Sequence, residues 1–174
     1  MGNNPSKVKA FGHPVESVGY EQALEFCEKI NKLYADKLPA GYKFYLPSET
    51  EWEYACRDGT TTALNNGKNL SGEGKYKQPD ANLDEVGWYE TNAQKSHQPV
   101  GLKKPNAWGL YDMHGNVREW TRSWDLTWYV NGGAVGKSPA AAVFLIWQIS
   151  AVQPAVPVPT HAVSVTISAL EWHW

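Results

Sequence analysis

Apolar residues follow a helical period over one long stretch of this chain. Ala23, Phe26, Cys27, Ile30 and Tyr34 recur three or four positions apart, with Glu21, Glu25, Glu28, Lys29 and Lys32 off that stripe. The pattern predicts a helix from about Tyr20 to Leu38, ended by Pro39 and Gly41. Tyr42 to Leu46 (YKFYL) reads as a short strand. Ser48 and Glu51 then have the spacing of a capping box, in which each side chain satisfies the other's free backbone N–H. The helix they open carries Trp52, Ala55 and Cys56 inward and stops near Asp58-Gly59. From Thr60 to Pro105 the chain is rich in Gly, Asn, Lys and Ser. A loop of that length inside a compact domain is unusual, and is often functional or held by an ion. Two dense aromatic and glycine-containing runs follow, Trp108 to Met113 and Gly115 to Trp120.

Beyond Trp124 the patterning stops. Of the charged side chains, only Asp125, Lys137 and Glu171 lie there, and none falls between Ser138 and Leu170. That stretch is Ala, Val, Pro, Ser and Ile without a helical or strand period, apart from one candidate strand, Val163 to Ser168. A folded domain keeps charges on its outward faces. The chain therefore divides into a well-patterned head, residues 1–124, and an atypical tail, residues 125–174.

Composition narrows the class. The 174 residues carry a net charge of −2, are 42% hydrophobic and 13% aromatic, and include nine Trp. That suffices for one domain with a real core. The absence of a basic run argues against nucleic acid as a partner. No apolar stretch approaches the roughly 20 residues that span a bilayer. Two cysteines exclude a disulfide-dense scaffold and a cysteine-rich zinc site. No signal peptide is visible after Met1, and the sequence leaves the compartment open.

The stretches PVESVGYEQALEFCEKIN, YKFYLPSETEWEYACRDGTTTALNNGKNL, HQPVGLKKPNAWGLYDMHGNV and REW, in this order, resemble the sulfatase-modifying-factor family of formylglycine-generating-enzyme-like domains, of bacterial type. The resemblance runs from about Asn3 to Trp124. It implies an α+β, C-type-lectin-like fold with two helices, short strands and long loops, often with bound calcium. The family's founding enzymes oxidise a sulfatase cysteine to formylglycine, using copper and a cysteine pair. Relatives include iron-dependent ergothioneine synthases.

Three departures set expectations. Residues Met1 to Lys7 resemble an internal family segment, so the first part of the domain is expected to be missing. Arg118 stands where the family usually has Trp. The closing family motifs are absent as written, yet a shifted reading of the codons restores them. Asn131 to Gly136, read one base out of frame, permits Arg-Gly-Gly-Ser-Trp. Val165 to His173 in the same frame permits Asn-Asn-Ile-Gly-Phe-Arg-Val-Ala-Leu. A frameshift after about Trp124 is therefore expected, and sequencing the DNA for a single-base slip tests it.

The resemblance places a calcium ion on the Asn116 side chain, the Val117 carbonyl and the Glu119 carboxylate. Calcium takes six to eight oxygens of these kinds. Asn82 and Leu83 resemble part of a second calcium site with no matched acidic partner. The plainer reading gives Asn116 to a turn after Gly115, and pairs Glu119 with Arg118 or Arg122. His13, His97, His114, His161 and His173 show no short metal-ligand spacing. The aromatics Trp88, Tyr89, Trp108, Tyr111 and Trp120 are read as core before cleft. Cys27 and Cys56 lie 29 positions apart on two helices and read as small buried hydrophobes. No catalytic residue is assigned, and copper or iron is not expected. The expectation is a non-catalytic binding or scaffold domain, or a gene remnant, for an unidentified protein or peptide. The alternatives are a metal-dependent oxidoreductase of the formylglycine-generating or ergothioneine-synthase type and a lectin-like ligand binder.

Overall fold

The computed structural model describes residues 4–72, 78–124 and 139–142. Helix α1 spans Tyr20–Leu33 and helix α2 spans Glu49–Arg57. Strands β1, Glu119–Trp124, and β2, Pro139–Ala142, pair antiparallel. Everything else among the described residues is turn and loop. The architecture is α+β with little regular structure.

The α1 stripe works as its spacing requires. Ala23, Cys27 and Ile30 are buried, Phe26 is half-buried, and Glu21, Glu25 and Glu28 are exposed. The helix ends at Leu33, short of Leu38. The Lys37 and Leu38 amides both return to the Tyr34 carbonyl (2.9 and 3.0 Å), making tight turns ahead of Pro39. The residue before a proline is disfavoured in the helical region, so the chain leaves the helix early. Tyr34 consequently lies exposed.

The expected strand Tyr42 to Leu46 does not form; only an isolated bridge at Tyr45 appears. A side chain takes the place of a strand partner there. The Asn31 carboxamide accepts from the Phe44 N–H and donates to the Phe44 carbonyl, each at 2.7 Å. That two-way bond fastens the extended segment to the back of α1.

The capping box of α2 is complete. Ser48 Oγ accepts from the Glu51 N–H (3.2 Å), and the Glu51 carboxylate accepts from the Ser48 N–H (2.7 Å). Asp58 closes the helix in the left-handed region, φ +50°. Strand β1 is laced to the start of α2. The Arg122 N–H donates to the Pro47 carbonyl (2.8 Å), Ser123 Oγ accepts from the Glu49 N–H (2.8 Å), and the Arg122 guanidinium reaches both Glu51 oxygens at 2.9 Å. Strand β2 lies within the compositional tail. Its register sets Glu119 opposite Ala142, Trp120 opposite Ala141 and Trp124 opposite Pro139, with an irregularity between Trp120 and Trp124. The other tail positions, including Val163 to Ser168, lie outside the described residues.

Two small cores result. Ala23, Cys27 and Leu46 form one, with Val18, Tyr20, Leu24, Phe26 and Trp120 around it. Trp120 Nε1 donates to the Val18 carbonyl (2.8 Å), and its ring meets Tyr20 edge-on at 5.6 Å. Leu64, Leu83 and Val86 form the second within the long loop, flanked by Ala63, Leu70 and Tyr89. The loop from Thr60 to Pro105 thus carries a core of its own. No helix among the described residues is long and apolar enough to cross a membrane.

Candidate functional site

The loops meet where Gly87-Trp88 crosses His114-Gly115-Asn116. A Cβ on Gly87 would sit 2.4 Å from the His114 carbonyl oxygen, and one on Gly115 2.0 Å from the Trp88 oxygen. Both positions therefore exclude any side chain, and Gly115 has φ +149° besides. The crossing is closed by the Asn116 N–H donating to the Trp88 carbonyl (2.9 Å). The Asn116 carboxamide accepts from the Gln98 N–H (2.9 Å) and donates to the Gln98 carbonyl (3.0 Å). Asn116, with φ +70°, is buried and committed to Gln98 at both ends of its amide.

Asp112 sits on the same turn with φ +58°. Its Oδ2 accepts from the Gly101 N–H (2.9 Å), while Oδ1 is buried and accepts no hydrogen bond. Burial pushes its carboxyl above the usual range, against the pull of the Gly101 amide, Asn116 and Lys103. A carboxylate oxygen held away from water without a donor is costly, and is the kind of group a cation satisfies. Glu119, at the start of β1, accepts from Trp52 Nε1 (2.5 Å). Of the residues expected to share one calcium, the Asn116 side chain bonds Gln98 and the Glu119 carboxylate bonds Trp52. Asn116 serves the turn, as in the plainer reading. The Glu119 carboxylate accepts from Trp52 Nε1, and the Arg122 guanidinium bonds both oxygens of Glu51.

Asn82 and Leu83 have their acidic neighbour in Asp80, which the sequence reading left unmatched. Asp80 Oδ1 accepts from the Asn82 and Leu83 N–H groups (3.0 Å each) and Oδ2 from those of Ser71 (2.7 Å) and Gly72 (3.1 Å). Burial works to raise its carboxyl, but those backbone bonds prevail and hold it below its usual range. The Asn82 amide donates to the Asn69 carbonyl (2.8 Å). The Leu83 side chain is core. The turn is satisfied by its own N–H groups. Among the described residues no group of three His, Cys, Asp or Glu side chains is arranged to hold a metal ion.

Both cysteines are buried and free. Cys56 Sγ lies 3.6 Å from the Met113 carbonyl oxygen and 3.9 Å from His114 Nε2. That His114 nitrogen accepts from the Asn65 N–H (3.0 Å), so it is the unprotonated one. Burial, then the Glu53 and Glu119 charges, push the Cys56 thiol up to about 12. Burial, then Arg57, push His114 down to about 4. The pair is therefore thiol beside neutral imidazole, the reverse of an activated thiolate–imidazolium pair. Burial also raises the Cys27 thiol.

His13 and His97 are brought together across 84 positions of sequence, Nδ1 to Nδ1 at 3.0 Å. Spacing along the chain carried no sign of this. Of the aromatics, Trp88 takes the Lys103 ammonium over its ring at 3.9 Å, and the Tyr89 hydroxyl donates to Asp84 (2.6 Å). Trp108 and Tyr111 are exposed instead of core, and Tyr54 stands edge-on to Trp108 at 5.3 Å.

Comparison with known proteins places this arrangement. Residues 2–152 match the sulfatase-modifying factor enzyme 1-like domain, a span that crosses the compositional break after Trp124. Chaperone protein LppX of Paenibacillus barcinonensis is 30% identical over 76% of this chain and 62% of its own length. The formylglycine-generating enzymes of Mus musculus (33% identical, 71% of this chain and 30% of theirs) and Mycobacterium tuberculosis (35%, 63% and 33%) also match. The chain spans about a third of those two enzymes. Among solved structures, Treponema denticola variable protein 1 superposes with a TM-score of 0.55 at 30% identity, over 71% of this chain and 56% of its own. The chain belongs to the sulfatase-modifying factor enzyme 1-like domain family.

Proposed function

We propose that this chain is a binding or scaffold domain for a protein or peptide and does not itself generate formylglycine. The observation that carries this is the state of its thiols. Its only two cysteines are buried and unpaired, and Cys56 is held as a neutral thiol beside a neutral His114. Cysteine-pair oxidation needs two neighbouring thiols with access to substrate, one of them ionised. The chaperone name of one relative supports a role in binding protein. The test is incubation of the full chain with copper(I), oxygen and a sulfatase-derived cysteine peptide, read by mass spectrometry. No formylglycine product is expected; turnover above a metal-free control overturns the reading.

Calcium is proposed as a structural ion on the 112–119 turn. The donor set differs from the one read in sequence. The orphaned Asp112 Oδ1 is the oxygen that fits, with the Val117 carbonyl and the Glu119 carboxylate as further candidates, while the Asn116 amide is held by Gln98 at both ends. A bound cation would supply charge compensation for Asp112 and order to the turn. Calcium is expected to raise the melting temperature of the native chain and leave Asp112→Asn unmoved. An equal rise in both removes Asp112 from the site.

A further inference from the structure

The contact between His13 and His97 is built from atoms that fix how many protons it can hold. The two Nδ1 atoms face each other at 3.0 Å, and the rings meet edge-on with centroids 5.1 Å apart and planes at 68°. At that distance one nitrogen carries the hydrogen and the other offers a bare lone pair. With both rings neutral, they must be unlike tautomers. With one proton added, an imidazolium donates to a neutral imidazole and the bond strengthens. With both rings charged, two N–H groups and two positive charges oppose each other, and the contact breaks.

The contact joins two stretches of chain far apart in sequence. Next to it, the Val100 N–H donates to the Gly12 carbonyl (2.8 Å), and the His13 N–H donates to the Ala10 carbonyl (3.3 Å). Glu16 anchors the first stretch. It is buried, its N–H donates to Ser6 Oγ (3.0 Å), and its carboxylate accepts from the Lys7 and Val8 N–H groups and the Ser17 hydroxyl. We propose that His13 and His97 form a proton-operated clasp, which holds residues 10–16 against residues 97–100 and opens when both imidazoles are charged.

The surroundings set the direction. His97 is 6% exposed, and its Nε2 is buried without a partner, so charge on this ring has no solvent to receive it. Burial lowers the readiness of His97 to take a proton, a charged His13 lowers it further, and the Glu16 carboxylate opposes both. Among the described residues those are the two titratable groups that act on His97. Glu16 compensates a first proton on the pair, and among the described residues no second carboxylate acts on His97. Because His97 is depressed in the fold, the unfolded chain binds the extra proton first. The clasp therefore adds stability above pH 6.5, the unperturbed value, and that contribution is lost as pH falls through the folded value.

The test is nitrogen-15 NMR of histidine-labelled full chain titrated from pH 8 to 4. At pH 8 one of the two rings is expected as the Nδ1–H tautomer and the other as Nε2–H. Charging of the second ring on acidification is expected to coincide with loss of hydrogen-exchange protection at the Val100 amide. His13→Gln is expected to abolish the acid step in Val100 protection while the chain keeps its far-ultraviolet dichroism. Two Nε2–H rings at pH 8 that titrate independently overturn the clasp, as does a Val100 amide whose protection ignores the titration. Should His13→Gln not fold, the tautomer pattern of the unsubstituted chain decides alone.

Discussion

Single residues here are constrained by what lies one atom away. Gly115 has no room for a methyl group, since a Cβ would lie 2.0 Å from the Trp88 backbone oxygen, which no rotamer change moves aside. Gly115→Ala is expected to cost about 3 kcal/mol or more, read as a fall in the urea midpoint, because the crossing of the loops must open to admit it. Cys56 shows the same constraint in chemical form. With its thiol pushed up to about 12, only about one molecule in ten thousand carries a thiolate at pH 8. Alkylation by iodoacetamide at that pH is expected to leave Cys56 unmodified for hours in native buffer and to proceed in minutes in 6 M guanidinium. Fast labelling of the native chain would mean an accessible thiol and would weaken the binding-domain reading.

At the scale of elements, what the sequence made legible was local. The α1 stripe and the Ser48–Glu51 capping box depend on residues three and four apart, and both stand as their spacing implies. The parts that spacing did not reveal depend on partners far along the chain. The strand expected at Tyr42 to Leu46 was lost to a side chain of α1, Asn31, and β1 was hidden in a run read only as aromatic and glycine-rich. The same holds for the site. Asn116 and Glu119 were recognisable, but that Asn116 would spend its amide on Gln98, and Glu119 turn to Trp52, is set by segments 18 and 67 positions away. Asp112 and Asp80 are ordinary acids in sequence and become notable only when the fold leaves one oxygen of Asp112 without a donor and surrounds Asp80 with four backbone N–H groups. The capping box gives the clearest element-scale prediction. Ser48→Ala removes the acceptor for the Glu51 N–H but keeps the Ser48 N–H that the Glu51 carboxylate accepts from, beside Arg122. It is expected to cost about 1 kcal/mol, and a Ser48→Ala/Arg122→Ala double variant is expected to lose less than the sum of the singles if cap and ion pair reinforce each other through the same Glu51 rotamer, and the full sum if they are independent.

For the whole molecule, three carboxylates act as joints between distant stretches: Glu16 binds residues 7–8, Glu51 links α2 to β1, and Asp80 ties residues 71–72 to residues 82–83. In each, burial works to raise the acid, yet the bonds it accepts win and leave it lowered from its ordinary value of 4.5 for the glutamates and 3.8 for Asp80. An acid lowered in the fold gives stability that is present above its unfolded value and is lost as pH falls through the folded one, because the unfolded chain protonates first. The carboxylates' contribution is therefore expected to hold between pH 7 and 5 and to drop steeply below 4.5, while His114, pushed down to about 4, and the clasp already give up stability below about 6.5. Glu51→Gln separates this from general acid damage. Its side chain still offers one oxygen to the Ser48 N–H but loses its charge toward Arg122, so the variant starts lower at pH 7, falls less between pH 5 and 3.5, and converges on the parent at the acid end. Midpoint curves that stay parallel across that range would show that Glu51 titrates alike in the folded and unfolded chain, and that the joint between α2 and β1 rests on packing instead of charge.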